Sequence, residues 1–346
     1  MHILVVKTSS LGDVIHTLPA LTDAHLHYPR LQCDWLIEEA FTEIPSWHPA
    51  VKQVIPVALR RWRKHLWQTG NRAEWHKFIQ ILTQQQYDRI IDAQGLIKSA
   101  FLTYQARGLR CGLDRHSARE PLAALAYQQR YTIAKNQHAV TRVRQLFAAV
   151  LGYPLPDTFP NYGIINHFQH QSTHSNEPPS IIFLHGTTWV TKHWPDRYWI
   201  ALAKRITATG LAVRLPWGNE QEYFRATQIA GTHPNISLIP KTNLQGIATA
   251  LAQARAVVGV DTGLAHLTAA LNVPSVTLYG ATQPALTGTY GSQQKLMQAN
   301  FPCAPCLRKR CTYRGASTVM PACYESLSVE KVWEQLQVLI YKCYSQ

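Results

Sequence analysis

The feature that most constrains the fold is an alternation of short apolar, strand-like runs with helix-length segments, and it occurs twice along the chain. Parallel strands need a crossover of helical length between them, so this alternation predicts an α/β protein with parallel sheets. In the first half, strands are expected over residues 2–6, 33–37, 54–57 and 89–92, with a helix over about 13–27. Between 155 and 180 the periodicity lapses among prolines, asparagines and histidines, which marks a linker. The alternation then resumes, with strands expected over 180–185, 211–216, 236–239, 256–260 and 275–279 and a helix starting near Pro195. The spacing of Val329, Val332, Trp333, Leu336, Leu339, Ile340 and Cys343 predicts a closing helix capped by Ser328. The organisation expected is a Rossmann-like domain over 1–160, a linker over 161–178, a second Rossmann-like domain over 179–325 and a terminal helix over 326–346.

Composition narrows the partners. Of 346 residues 46% are apolar and only 16% charged, which excludes a largely disordered chain. Lys and Arg number 34 against 20 acids, a formal net charge of +14 that points to a polyanion: nucleic acid, an acidic membrane surface or a phosphorylated substrate. No zinc-finger spacing or RNP motif supports nucleic acid. No apolar run reaches the ~18 residues of a spanning helix, and the first residues read as a strand and not as a signal peptide. A cytosolic protein is expected, and its seven cysteines fit reduced thiols there.

The first strand runs into Lys7-Thr-Ser-Ser-Leu-Gly-Asp13-Val-Ile-His16, a small-residue loop and helix start at a position where parallel sheets bind ligands. It lacks both G-x-G-x-x-G and the P-loop pattern, so neither a dinucleotide site nor NTP hydrolysis follows. Asp13 there reads either as a helix N-cap or as a general base facing an acceptor hydroxyl. In the second half, Thr187, Thr188 and Lys192 follow a strand and precede a helix, where hydroxyls, backbone N–H groups and the helix dipole serve a phosphate. Asp261-Thr262-Gly263, with His266, stands at the end of another strand, and two such loops in one unit point to a nucleotide site. His266 alone reads as a packed histidine.

Arg60-Arg61-Trp62-Arg63-Lys64 lies in a stretch from 51 to 73 with six Lys or Arg and no acid. It is either a solvated face or a surface that captures phosphate groups. Cys303, Cys306, Cys311 and Cys323 read as free or redox-paired thiols or as a four-thiolate zinc site, with no catalytic role in either case.

Taken together, these residues resemble the lipopolysaccharide heptosyltransferases of glycosyltransferase family 9. The resemblance is carried by 5–21, by Ile44-Pro-Ser-Trp-His48, Arg60-Arg-Trp-Arg-Lys64, Asp92-Ala-Gln-Gly95 and Ala118-Arg-Glu-Pro121, and by Lys192-His-Trp-Pro195, Leu215-Pro-Trp-Gly218 and Asp261-Thr-Gly263 with His266. It implies a GT-B fold, two Rossmann-like domains facing a cleft. It also implies inverting transfer of L-glycero-D-manno-heptose from ADP-L-glycero-β-D-manno-heptose to the first Kdo of Kdo2-lipid A at the cytoplasmic face of the inner membrane. No metal, cofactor or nucleic acid is implied. By the same resemblance Asp13 is the general base, and Thr187, Thr188, Lys192, Glu222, Thr242, Asp261, Thr262, Gly263 and His266 contact the donor. Arg60, Arg61, Arg63 and Lys64 would meet the anionic acceptor. The competing readings are a family member acting on a heptosylated acceptor, and a non-catalytic anion- or membrane-binding protein that would need no Asp13.

Overall fold

The computed structural model describes residues 1–63, 69–169 and 179–342. The chain divides into two compact units, Met1–His167 and Phe168–Gln346. The first holds strands β1 (His2–Val6), β2 (Gln32–Glu38), β3 (Val51–Val57), β4 (Gln86–Asp92), β5 (Arg107–Leu113) and β6 (Gln129–Tyr131). All pair in parallel, in the order β3-β2-β1-β4-β5-β6. The second holds β7 (Ser180–Leu184), β8 (Ala212–Leu215), β9 (Ile236–Leu238), β10 (Ala256–Val260), β11 (Ser275–Tyr279) and β12 (Gln294–Gln298). Its order is β12-β11-β10-β7-β8-β9, again parallel throughout.

The two sheets share one topology. In each, the chain starts at the centre, winds out to one edge, returns and winds out to the other, so the direction reverses once. The switch points lie between β1 and β4 and between β7 and β10, and open α/β sheets bind ligands beside the carboxyl ends of such strands. The central strands are continuous apolar runs because helices cover both faces: Ile3 to Val6 and Ile181 to Leu184 are buried along their whole length. In the second unit Trp194 and Trp199 sit in the core with Phe183, closed over by Val332, Leu336 and Ile340 of the helix Val329–Lys342. Trp194 also donates its indole N–H to Leu327 O at 2.9 Å.

Three strands were not expected from sequence. Strand β5 carries two arginines and two glycines, β6 has three residues, and β12 is a polar edge strand. The helix expected over 13–27 is two helices, Leu11–Ile15 and Leu18–His27. Pro19 has no N–H to give, so it takes the first turn of a new helix behind Thr17 instead of continuing the old one. Ser328 accepts the Lys331 N–H at 3.4 Å at the start of the closing helix. Cys343 and residues 170–178 of the expected linker lie outside the described residues. Among the described residues no helix is long and apolar enough to cross a membrane.

Candidate active site

At the first switch point the loop after β1 is fastened to the loop after β4. Lys7 Nζ donates to Ala93 O at 2.9 Å, and Thr8 N and Oγ1 both donate to Gln94 Oε1 at 2.8 Å. Buried Asp92 holds the β4 loop in turn. Its carboxylate accepts the N–H groups of Gln94 and Gly95 and the Tyr127 hydroxyl at 2.8, 3.0 and 2.7 Å, and Gly95 takes the left-handed φ of +66° that this turn requires.

This frame presents Asp13. The N-cap expected at Asp13 is Ser10 instead, and Asp13 stands in the first helical turn. Its Oδ2 accepts the Ser10 N–H at 3.0 Å and the Ser10 hydroxyl at 2.8 Å. Burial pushes the Asp13 carboxyl up, but the Lys7 ammonium, the two Ser10 hydrogen bonds and Arg119 together hold it below its ordinary value. Lys7 itself is pulled down by burial, partly offset by Asp13 and Asp92. Lys98 closes the loop from the other side, donating to Ser9 Oγ at 3.2 Å. The result is a half-buried, ionised carboxylate whose chemistry is to accept a proton.

At the second switch point Thr187 Oγ1 donates to Asp261 O at 3.1 Å. Lys192 Nζ pairs with Asp261 Oδ2 at 2.7 Å, with both side chains mostly buried. The same oxygen accepts the Thr282 hydroxyl at 2.6 Å, and Lys192 Nζ stands 4.7 Å from the centre of the Trp189 ring. Thr188 is exposed beside them. Thr262 caps the helix Gly263–Ala270, and His266 lies buried one turn in. Glu222 packs against Gly186, where a Cβ would stand 2.8 Å from its Cδ, and accepts the Gly218 N–H at 2.8 Å. Thus Thr187, Lys192, Asp261, Thr262 and Gly263 gather where the loops after β7 and β10 meet, with Glu222 against the β7 loop. Thr242 lies on another segment, its hydroxyl 3.4 Å from Asn243 Oδ1 ahead of the helix Leu244–Ala252.

Sequence reasoning missed Arg225. Its Nε bonds Asp196 Oδ1 at 2.6 Å, one terminal nitrogen bonds His185 O at 2.8 Å and touches His193 Nδ1, and the other bonds Trp194 O at 2.6 Å. With His193 Nδ1 accepting, the ring proton is on Nε2, which donates to Thr187 O at 2.9 Å. Burial, and then the Arg225 charge, hold His193 below its ordinary pKa. His185 is likewise pushed down to about 3, by burial first and then by Arg225. One guanidinium therefore braces the loop that carries Thr187, Thr188 and Lys192. The only hint in the sequence is its place three residues after Glu222 on the helix Glu220–Ala230.

The basic stretch is less basic in the fold than in the sequence. Arg61 is held by Glu39 at 3.1 Å and Glu74 at 2.9 Å, and the Trp62 indole N–H donates to Glu74 at 2.8 Å. Glu38 accepts the Arg60 backbone N–H at 3.0 Å, while the Arg60 and Arg63 side chains are exposed. Lys64 lies outside the described residues. Cys323 is buried, and burial together with the thiols of Cys303, Cys306 and Cys311 pushes its pKa up to about 12. Among the described residues no group of three or more His, Cys, Asp or Glu side chains is placed to hold a metal ion.

Comparison with known proteins gives this geometry a context. Residues 75–317 match the family described as glycosyltransferase family 9 (heptosyltransferase). The chain is 51% identical to lipopolysaccharide heptosyltransferase 1 of Pseudomonas aeruginosa, covering 98% of both sequences. It is 49% identical to lipopolysaccharide heptosyltransferase 1 of Escherichia coli K12, covering 86% of this chain and 94% of that one. The solved structure of E. coli heptosyltransferase WaaC with ADP-2-deoxy-2-fluoro heptose superposes with a TM-score of 0.86 at 43% identity, covering 98% of this chain and 99% of that chain. With paired Rossmann-like sheets, a fastened Asp13 loop and a lysine-bearing loop at the second switch point, the chain belongs to glycosyltransferase family 9, the heptosyltransferases.

Proposed function

We propose that this glycosyltransferase moves L-glycero-D-manno-heptose from ADP-L-glycero-β-D-manno-heptose to the first Kdo of Kdo2-lipid A, at the cytoplasmic face of the inner membrane during synthesis of the lipopolysaccharide inner core. The observation that carries the reading is the cluster of Lys192, Thr187, Asp261 and the amino end of the helix Gly263–Ala270 at one switch point. A departing diphosphate needs positive charge and N–H donors, and this cluster offers both. Asp261 already shares one oxygen between Lys192 and Thr282, which suits it to position the lysine more than to bind a cation. The reaction is accordingly read as metal-independent.

The chemistry follows from the two loops. Asp13 takes the proton of the acceptor hydroxyl as its oxygen attacks the anomeric carbon from the side opposite the diphosphate. The bond from that carbon to the phosphate oxygen breaks, its electron pair leaves with ADP, and the anomeric configuration inverts. Lys192, the hydroxyls of Thr187, Thr188 and Thr262 and the helix N–H groups stabilise the charge that develops on the leaving group. Glu222, Thr242 and His266 complete the donor contacts, and the exposed guanidinium groups of Arg60 and Arg63, with Arg61 and Lys64, take the anionic acceptor.

The test is a transfer assay with purified protein, ADP-heptose and either Kdo2-lipid A or its monoheptosylated product, with and without EDTA. Monoheptosylation of Kdo2-lipid A at an undiminished rate in EDTA is expected. Turnover of the monoheptosylated acceptor alone, or a Mg²⁺-reversible loss in EDTA, would overturn the acceptor and the metal-independent readings respectively.

A further inference from the structure

The helix Ile97–Gln105 exposes three large apolar side chains along one face, Ile97 at 50%, Phe101 at 51% and Tyr104 at 61%. They are spaced at i, i+4 and i+7. Beside it the helical turn Pro121–Ala126 exposes Leu122 at 64% and Leu125 at 74%. The two segments are locked together by a small buried cluster of Ala100, Ala123, Ala124 and Tyr127, so their apolar side chains are carried by one rigid platform. Phe101 is further supported by stacking on Trp75, with ring centres 5.9 Å apart. Soluble surfaces seldom gather five large apolar side chains on adjoining segments without a partner for them.

The charges around the platform say which partner. Arg110 lies over the Tyr104 ring at 5.0 Å and donates to Ala126 O at 2.9 Å. Arg130 donates to Tyr127 O at 3.2 Å, Lys98 sits on the exposed helix itself, and exposed Arg119 lies just ahead of the turn. The acid among them, Glu120, is engaged by the Ile97 backbone N–H at 2.6 Å. Apolar side chains rimmed by arginine and lysine match a bilayer with anionic headgroups, where the former enter the acyl boundary and the latter meet the phosphates.

We infer that the platform of helix Ile97–Gln105 and turn Pro121–Ala126 is the surface by which the first unit docks on an anionic lipid bilayer. The inference rests on the proposed lipid acceptor and names the face that approaches it. Lys98 ties the platform to the base loop through Ser9, so docking here brings the headgroup layer to the loop that presents Asp13. The acceptor then needs to leave the membrane only as far as its Kdo sugar.

The test is co-sedimentation of the full chain with vesicles of phosphatidylethanolamine and phosphatidylglycerol, against vesicles of phosphatidylcholine alone. Wild type should bind the anionic vesicles, more weakly as salt rises. Ile97→Ser, Phe101→Ser, Leu122→Ser and Leu125→Ser combined should lower binding by about tenfold or more. Leu125→Asp alone repeats the measurement at the most exposed of these positions, where folding is not at stake, and should lower binding in the same direction. Transfer to a water-soluble, deacylated acceptor should be unchanged in both variants. Wild-type binding by both variants, no preference for anionic vesicles, or a wild-type dimer in solution that the variants dissociate would overturn the proposal. Failure of heptose transfer with vesicle binding intact would overturn the acceptor reading and leave the docking surface standing.

Discussion

Lys192 and Asp261 form a 2.7 Å ion pair that joins the loop after β7 to the loop after β10. Asp261 thereby aims the ammonium at the strand ends. Lys192→Gln should lower kcat/KM for ADP-heptose by about 10²- to 10³-fold, the range seen when one donor to a developing anion is removed. It also leaves a mostly buried carboxylate short of a partner, at a cost of about 1–3 kcal/mol. Adding Asp261→Asn should recover that stability in urea unfolding without recovering turnover. A double variant that regained activity would show the lysine to be structural.

Asp13→Asn should reduce kcat by about 10²- to 10⁴-fold while ADP binding, measured by calorimetry, is unchanged. The folded carboxyl titrates below its ordinary value, so the proposed base is ionised throughout the neutral range. The rate should fall only as pH drops through that depressed value. Lys7→Gln, by removing the largest of the lowering influences, should move the acid limb of kcat to higher pH. An unmoved limb would take Asp13 out of the rate-determining ionisation.

Arg225→Lys preserves the charge but loses the planar fork that serves four partners at once. The donor KM should rise by about tenfold or more, because Thr187 and Lys192 are no longer braced, with a smaller change in kcat. In Arg225→Gln, His193 also loses the nearest cation. Burial still holds its pKa down, but with Arg225 gone and Asp196 and Glu222 favouring the protonated form, an acid limb should emerge in kcat/KM at higher pH than in wild type. A pH profile like that of wild type would confine Arg225 to holding the fold.

The ion pairs of Arg61 grade the basic stretch. Arg60→Gln and Arg63→Gln should each raise the acceptor KM severalfold more than Arg61→Gln, since Arg61 is already neutralised by Glu39 and Glu74. The donor KM should stay the same, and the effect should shrink with salt as exposed charges are screened over about 8 Å. Equal effects at all three positions would mean that the acceptor displaces both glutamates.

Stability should fall in mild acid. His48 is buried, with Nε2 at 2.9 Å from Thr22 Oγ1 and Nδ1 accepting the Ala50 N–H at 3.2 Å, and burial and then His25 push it down to about 3. His185 is pushed down equally far. Both are neutral when folded and take up a proton on unfolding below about pH 6.5. Each therefore removes about 1.4 kcal/mol of stability per pH unit as pH falls from there toward its folded value. Urea unfolding at a series of pH values should show this decline, and His48→Gln should flatten part of it.

How far the sequence could be read depended on whether the determining contacts were local. Strands β1 and β10 were fully legible, because a strand buried on both faces reads as a near-continuous apolar run, and β11 was legible although Ser275 and Thr277 interrupt its run. Strand β5 was not, since Arg107, Gly108, Arg110 and Gly112 break that pattern and pairing with β4 and β6 fixes it as a strand. The loops bearing Asp13, Lys192 and Asp261 could be placed at strand ends by order alone. Their fastening could not: Thr8 meets Gln94 across 86 residues, and Arg61 meets Glu39 across 22. Arg225 stayed hidden for the same reason, being an ordinary helix residue until His185, His193, Trp194 and Asp196 fold around it.

Each half of this chain encloses its own sheet with its own switch point, wound in the same order. Modularity follows from that repetition. On the proposed division of labour, the first half can accumulate changes around Asp13 and the arginines without touching the ion pair of Lys192 with Asp261, and the second can remain fixed while acceptors diversify. Grafting residues 1–167 from one family member onto 168–346 of another is therefore the natural route to new linkages, with the seam placed where neither core is cut.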